Sequence, residues 1–211
     1  KFIRGASENY TKDAYILKLD IKGYFMSINK HILYNQILKT LSKFWTKLKV
    51  DFDFITWIIK IIIFHNPTKD VIIKGKMTDW VGLPKDKSLF YAKKDTGLPI
   101  GNLTSQLFGN IYLDYLDKYI KFQLRFKYYG RYVDDFIIID NSLKKLKNTI
   151  GQVSEFLSTK LLMKLNPKKI YLQHFTKGVK FLGVFIKPYR IYIDTRTKTA
   201  FYKAIKKEYQ T

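Results

Sequence analysis

Two β-rich runs, 126–133 and 136–140, are separated by only two residues, Asp134 and Asp135. That spacing constrains the fold more than any other feature of the chain. Two strands joined by a tight polar pair form a hairpin, so two carboxylates are carried at a hairpin tip. A third acid, Asp20, closes the apolar run Tyr15-Ile16-Leu17-Lys18-Leu19. Carboxylates at strand ends and hairpin tips are held rigidly enough to share a metal ion. Magnesium takes oxygen ligands, commonly one or two carboxylates with phosphates completing the shell. With 14 Asp in 211 residues, an Asp-Asp pair is expected about once by chance, and a Tyr two residues earlier lowers that to about 0.07. The bland alternative is that Asp134 and Asp135 are ordinary turn residues.

The remaining pattern alternates helices with strands. Apolar Ile32, Leu33, Ile37, Leu38 and Leu41 at helical spacing predict a helix over 30–41. A second is expected over 52–64, stopping before Asn66-Pro67. The stretch 68–98, rich in Lys, Gly and Asp, reads as short strands and loops. A long helix is expected from Asn102, a good N-cap residue, to about 122, and another over 143–163. Strands are expected at 170–172, 180–186 and 190–193, with a helix at 197–209. This interleaving predicts an α+β or mixed α/β fold.

Charge narrows the partners. Lys and Arg number 39 against 17 Asp and Glu, a net charge of +22, and 46% of residues are hydrophobic. A basic excess with ample core material points to a folded domain that meets polyanions, nucleic acid above all. There is no cysteine, which removes disulfides, zinc knuckles and thiol catalysis. The three histidines are far apart and lack metal-ligand spacing. The most apolar run, 52–64, interrupted by Asp53 and Lys60, is short of the roughly 20 residues of a membrane span, and the mixed opening Lys1-Phe2-Ile3-Arg4-Gly5-Ala6 does not read as a signal peptide.

Tyr132-Val133-Asp134-Asp135 resembles the Tyr-x-Asp-Asp motif of reverse transcriptases, and Leu19-Asp20-Ile21-Lys22-Gly23-Tyr24-Phe25 resembles their first palm motif. Three more segments follow in the family's order: Gly97-Leu98-Pro99-Ile100-Gly101-Asn102-Leu103-Thr104-Ser105-Gln106, Leu165-Asn166-Pro167-Lys168-Lys169 and Phe181-Leu182-Gly183. The Ile-Gly-Asn-Leu-Thr-Ser-Gln form is most similar to reverse transcriptases of bacterial and phage diversity-generating retroelements. Retron and group II intron enzymes are the nearer alternatives, and a non-catalytic nucleic-acid-binding palm is the more distant one.

The resemblance implies an α+β polymerase palm with part of the fingers, in a right-hand polymerase fold. Residues 10–30 and 97–195 would form the palm and 31–96 a fingers-side insertion, in a chain truncated at both ends. It implies an RNA-directed DNA polymerase, error-prone, extending a DNA or RNA primer on an RNA template with deoxynucleotides. Asp20, Asp134 and Asp135 would be catalytic and hold two Mg2+ ions, replaceable by Mn2+, with the Ile21 carbonyl as a further ligand. Phe25, or else Tyr24, would sense the sugar. Ile100, Gly101, Lys168 and Lys169 would contact nucleotide, and Phe181, Leu182 and Gly183 would form the primer grip. A small accessory protein, a cytoplasmic location and no membrane partner complete the implied picture. Ile100 departs from the Gln of many reverse transcriptases, replacing a hydrogen-bonding amide with a branched apolar side chain.

Overall fold

The computed structural model describes residues 1–45, 51–69 and 71–209. Its centre is a four-stranded antiparallel sheet in the order β2-β3-β1-β4, built from β1 (Tyr15–Asp20), β2 (Tyr128–Tyr132), β3 (Asp135–Asp140) and β4 (Tyr171–His174). One face carries Leu17 and Leu19 of β1 beside Ile138 and Phe136 of β3. These four are fully buried in the main core, under α5 (Leu103–Lys118) and α6 (Leu143–Lys160). The opposite face carries Ile16 and Ile139, which join Ile3, Ala6 and Val179 in a second, smaller core. Further along that same face the pairs become Lys18–Ile137 and then Asp20–Asp135. The sheet therefore runs from an apolar, covered end to a charged, open one.

The helices start where local chemistry dictates. Asn29 caps α3 (Lys30–Phe44) by accepting from the N–H groups of His31 and Ile32, each at 3.0 Å. Asp51 does the same for α4 (Phe52–Phe64) and Ser142 for α6, each meeting donors the helix leaves free. Lys30 is buried, and its ammonium reaches the carbonyl of His65 just beyond α4 at 3.0 Å, where the helix dipole favours a cation. Asn102 does precede α5, but its side chain makes no capping bond.

Several expected elements shift. The long helix stays α-helical only to Lys118 and continues as a wider π turn over Tyr119–Gln123. The helix expected over 143–163 stops at Lys160, with Leu162 left-handed at φ 51°. No strand forms in 68–98 among the described residues; short 3₁₀ turns, Met77–Trp80, Lys85–Lys87 and Leu89–Tyr91, take their place. That stretch lacks the alternating apolar residues a half-buried strand needs. The run 180–186 divides into β5 (Val179–Phe181) and β6 (Val184–Lys187), because Leu182 and Gly183 both take positive φ and turn the chain. With β7 (Arg190–Ile193) these make a second, three-stranded sheet, followed by α7 (Thr195–Glu208). A short helix α1 (Phe2–Ala6), not expected from the sequence, places Ile3 and Ala6 in the smaller core. No helix among the described residues is long and apolar enough to cross a membrane.

Tyr112 of α5 ties the helices to one another. Its buried hydroxyl donates to the Leu161 carbonyl at 2.6 Å and accepts from the Asn29 N–H at 3.3 Å. Removing it orphans two backbone groups, so Tyr112→Phe is expected to cost about 1–3 kcal/mol, read by urea denaturation.

Candidate active site

The hairpin between β2 and β3 turns one residue earlier than expected. Val133 and Asp134 form the turn, whereas Asp135 opens β3, opposite Tyr132 on one side and Asp20 on the other. A one-residue change of register exchanges the faces of a strand. In the observed register Asp135 shares a face with Asp20 and Lys18, and the Lys18 ammonium pairs with Asp135 at 3.1 Å. Val133 sits at φ 55°, an outlier for a β-branched residue.

Asp20 is 3% exposed and is wrapped by the loop that follows α6. The N–H of Asn166 bonds the Asp20 carbonyl at 2.8 Å, and the Asn166 amide donates to Oδ1 at 3.0 Å. Lys169 donates to Oδ2 at 2.7 Å. That bond holds the Lys169 ammonium above its ordinary pKa. Asp134, at the turn, forms no ion pair among the described residues. Burial raises its pKa above the usual carboxylate value, and the charges of Asp20 and Asp135 add to the rise. Burial disfavours the charged form of a carboxyl group, and neighbouring like charges disfavour it further.

A cleft of about 360 Å³ opens at this end of the sheet, with Asp20, Asp134, Phe25, Ile100, Asn166 and Lys169 on its walls. Phe25 is half-buried and Ile100 is 66% exposed. Both also face an adjoining space of about 390 Å³ on the side of Arg131 and Tyr132. Tyr24 lines both spaces, yet it is 4% exposed with its hydroxyl unpartnered, so it serves chiefly as core. Gly101 adopts φ 100°, and a Cβ there would meet nothing within 4 Å. Backbone conformation, not crowding within the protein, calls for glycine at this position. Lys168 is exposed and lies off the cleft, and its backbone N–H donates to Asn166 Oδ1. Leu182 and Gly183 form the tip of the β5–β6 hairpin, while the Lys18 ammonium lies 5.8 Å from the centre of the Phe181 ring. Lys18 thus connects that hairpin to Asp135.

The carboxylates do not form a ready-made cage: among the described residues no three His, Cys, Asp or Glu side chains converge as a metal site. Their chemistry still fits magnesium, which asks a protein for one or two carboxylates and leaves other positions to water and phosphate. Lysine ammonium groups already mark cation positions at Asp20 and Asp135. The Ile21 carbonyl is not used in the bridge between Ile21 and Leu165, whose bonds run from Lys22 to Lys164 and from Asn166 to Asp20.

Sequence reasoning did not single out Asn166, Lys18, Arg131 or Asp117 as site residues. Asn166 lies inside a quoted motif, and Lys18 shares the strand alternation of Asp20, so both left a signal. The pairing of Arg131 with Asp117 is non-local and left none beyond the rarity of arginine, five in the chain against 34 lysines.

An antiparallel sheet backed by helices, with carboxylates at its open end, is the palm of a right-hand polymerase fold. The profile of the reverse transcriptase (RNA-dependent DNA polymerase) family matches residues 2–186, and the chain belongs to that family. It is similar to the COX1/OXI3 intron 2 protein of Saccharomyces cerevisiae, at 26% identity over 48% of this chain and 18% of that protein. Among solved structures it resembles Candida tropicalis telomerase in complex with a fragment of telomeric RNA, with TM-score 0.65 and 17% identity, covering 92% of this chain and 32% of the other. Apo telomerase from the same organism, lacking its C-terminal domain, gives TM-score 0.63 at 19% identity, over 91% of this chain and 38% of that one. The chain therefore spans about a fifth of the curated relative and about a third of the telomerase chains.

Proposed function

We propose that this chain is the palm, with a fingers-side segment at 31–96, of an RNA-templated DNA polymerase. The observation that carries the reading is the register setting Asp135 opposite Asp20, with Asp20 and Asp134 on the wall of one cleft. The reaction joins a primer 3′-hydroxyl to the α-phosphate of a deoxynucleotide and releases pyrophosphate. Asp20 and Asp134, with Asp135, would hold two magnesium ions or manganese in their place, and the Ile21 carbonyl is a further oxygen donor. Bound there, the ions would lower the pKa of the attacking hydroxyl and neutralise charge on the leaving oxygen. The chain's own contribution is positioning. Asn166 fixes the orientation of Asp20, and Lys169 balances its charge until phosphate enters. Phe25 and Ile100 shape the cleft where sugar and base would lie. The net charge of +22 draws template and primer toward this acidic centre.

Magnesium-dependent extension of a primer on an RNA template tests the reading. Salt-sensitive binding of the duplex without extension would favour a non-catalytic palm module instead.

Two finer readings differ in their errors. The Ile100-Gly101-Asn102-Leu103-Thr104-Ser105-Gln106 stretch favours an error-prone enzyme of the diversity-generating kind, with a small accessory protein as partner. The similarity to the yeast intron protein favours an intron-type enzyme. Apolar contacts discriminate by about 1–3 kcal/mol, whereas a polar contact that leaves groups unpaired rejects far more strongly. Ile100→Gln is accordingly expected to lower misincorporation, scored by sequencing cDNA from both proteins. Wild-type errors concentrated at template adenines would select the diversity-generating reading. An even spectrum, equal in the two proteins, would remove Ile100 from fidelity.

A further inference from the structure

We propose that Arg131 is a positioning residue that sets the direction of the Asp134 carboxylate, with Asp117 as its anchor. The inference rests on the reading of Asp134 as a carboxylate of the reactive centre. Arg131 lies on β2, and its side chain is only 10% exposed. Its Nε donates to Asp117 Oδ1 at 2.8 Å and its Nη2 to Oδ2 at 2.7 Å, a two-pronged pair. The remaining nitrogen, Nη1, donates to Asn110 Oδ1 at 3.1 Å and to the Val133 carbonyl at 2.9 Å. Asn110 and Asp117 stand two turns apart on one face of α5, so the guanidinium is fixed from the helix side before it reaches the turn.

The Val133 carbonyl and the Asp134 N–H belong to one planar peptide unit. A bond to that oxygen therefore sets the plane from which Asp134 hangs. The chain of contacts thus runs from α5 through the guanidinium to the peptide plane that carries Asp134. Val133 needs such a clamp, because its φ of 55° persists only where the surroundings over-determine it. The clamp also explains an arginine in a lysine-rich chain. A lysine ammonium cannot offer a two-pronged fork and a third fixed direction together.

An ion pair that only stabilised the fold would predict a loss of melting temperature and nothing else. The test compares Arg131→Lys and Asp117→Asn with Tyr112→Phe, a destabilised control whose defect lies away from the turn. Two quantities are read: Mn2+ bound to the protein without nucleic acid, from the EPR signal of the free ion, and kcat and KM for deoxynucleotide in primer extension. Arg131→Lys is expected to weaken Mn2+ binding ~10-fold and to lower kcat up to ~10²-fold, with KM nearly unchanged. Tyr112→Phe is expected to change neither. Mn2+ binding equal in Arg131→Lys and wild type would overturn the proposal. If Arg131→Lys does not fold, Asp117→Asn carries the same comparison.

Should the wild type neither bind Mn2+ nor extend primers, the polymerase reading fails and the clamp is tested alone by NMR. The Asp134 amide order parameter is then expected near the rigid value of about 0.85 in wild type and below about 0.6 in Asp117→Asn. Equal values in the two proteins would overturn the clamp as well.

Discussion

Asp134→Asn is expected to abolish primer extension, by ~10³-fold or more, while the protein melts no earlier than wild type. On the proposed reading, Asp134→Asn removes a preorganised charge at the reacting centre; a single such group supplies ~10²–10³-fold, and a carboxylate that holds metal should supply at least that. The stability follows from the sign of the pKa shift. Burial, reinforced by Asp20 and Asp135, raises the Asp134 pKa in the folded protein. A raised carboxylate makes the fold most stable below the unfolded value. Stability then declines as pH rises from the unfolded value through the raised folded one, and stays low above it. At neutral pH the charge thus opposes folding, and asparagine removes that opposition. Melts in chelator-treated buffer should show Asp134→Asn gaining on wild type near neutrality, with the gap closing as pH falls.

Asp20→Asn makes the contrast. It should lose extension equally, but it also discards the Lys169 bond at 2.7 Å from a residue only 3% exposed. Hydrogen bonds to charged groups contribute about 1.5–3 kcal/mol. Lys169, more than half exposed, can turn to water, so the lower part of that range is expected. Equal loss of activity with opposite changes in melting temperature would separate chemistry from folding. Full extension by a folded double variant would sink the assignment of both residues.

The parts of this site that were legible in the sequence are those encoded by neighbours in the chain. β1 and the hairpin announced themselves because apolar runs stop at acids, and Asn29, Asp51 and Ser142 cap helices through donors two or three residues away. Register was not legible to a single residue. Val133 and not Asp135 takes the turn, and nothing local distinguishes the two until Asp20 and Lys18 meet Asp135 across the sheet. The short α1 was missed because five residues with Gly5 among them carry no helical period; its placement comes from packing Ile3 and Ala6 against Ile16 and Ile139. Composition alone suggests strands in 68–98, yet among the described residues no strand there joins either sheet, and the one β-bridge is an isolated pair, Asn29 with Thr96. Arg131 and Asp117, 14 residues apart, become partners only when β2 returns beside α5.

Phe25→Ala is expected to admit ribonucleotides. Phe25 lies on α2 (Tyr24–Ser27), five residues after Asp20, and faces both the carboxylate cleft and the space beside Arg131. Its ring packs on that of Tyr24, with centroids 4.9 Å apart, and Tyr24 is buried. The inner ring thus backs the outer one and limits its retreat. A 2′-hydroxyl approaching Phe25 would meet a surface that cannot move inward, since close-packed interiors transmit strain instead of yielding. Rejection by volume is worth about 1–3 kcal/mol, or roughly 10–200-fold, and alanine should surrender most of it. Incorporation of ribonucleotides against deoxynucleotides, measured as the ratio of kcat/KM values, is the readout. Deoxynucleotide use should fall far less than discrimination does, because truncation enlarges the pocket without touching Asp20 or Asp134. An unchanged ratio in a folded Phe25→Ala protein would show that discrimination lies elsewhere in the cleft. Tyr24→Ala would not serve as a substitute test: removing a residue 4% exposed opens a cavity costing about 3–5 kcal/mol, and folding and selectivity would change together.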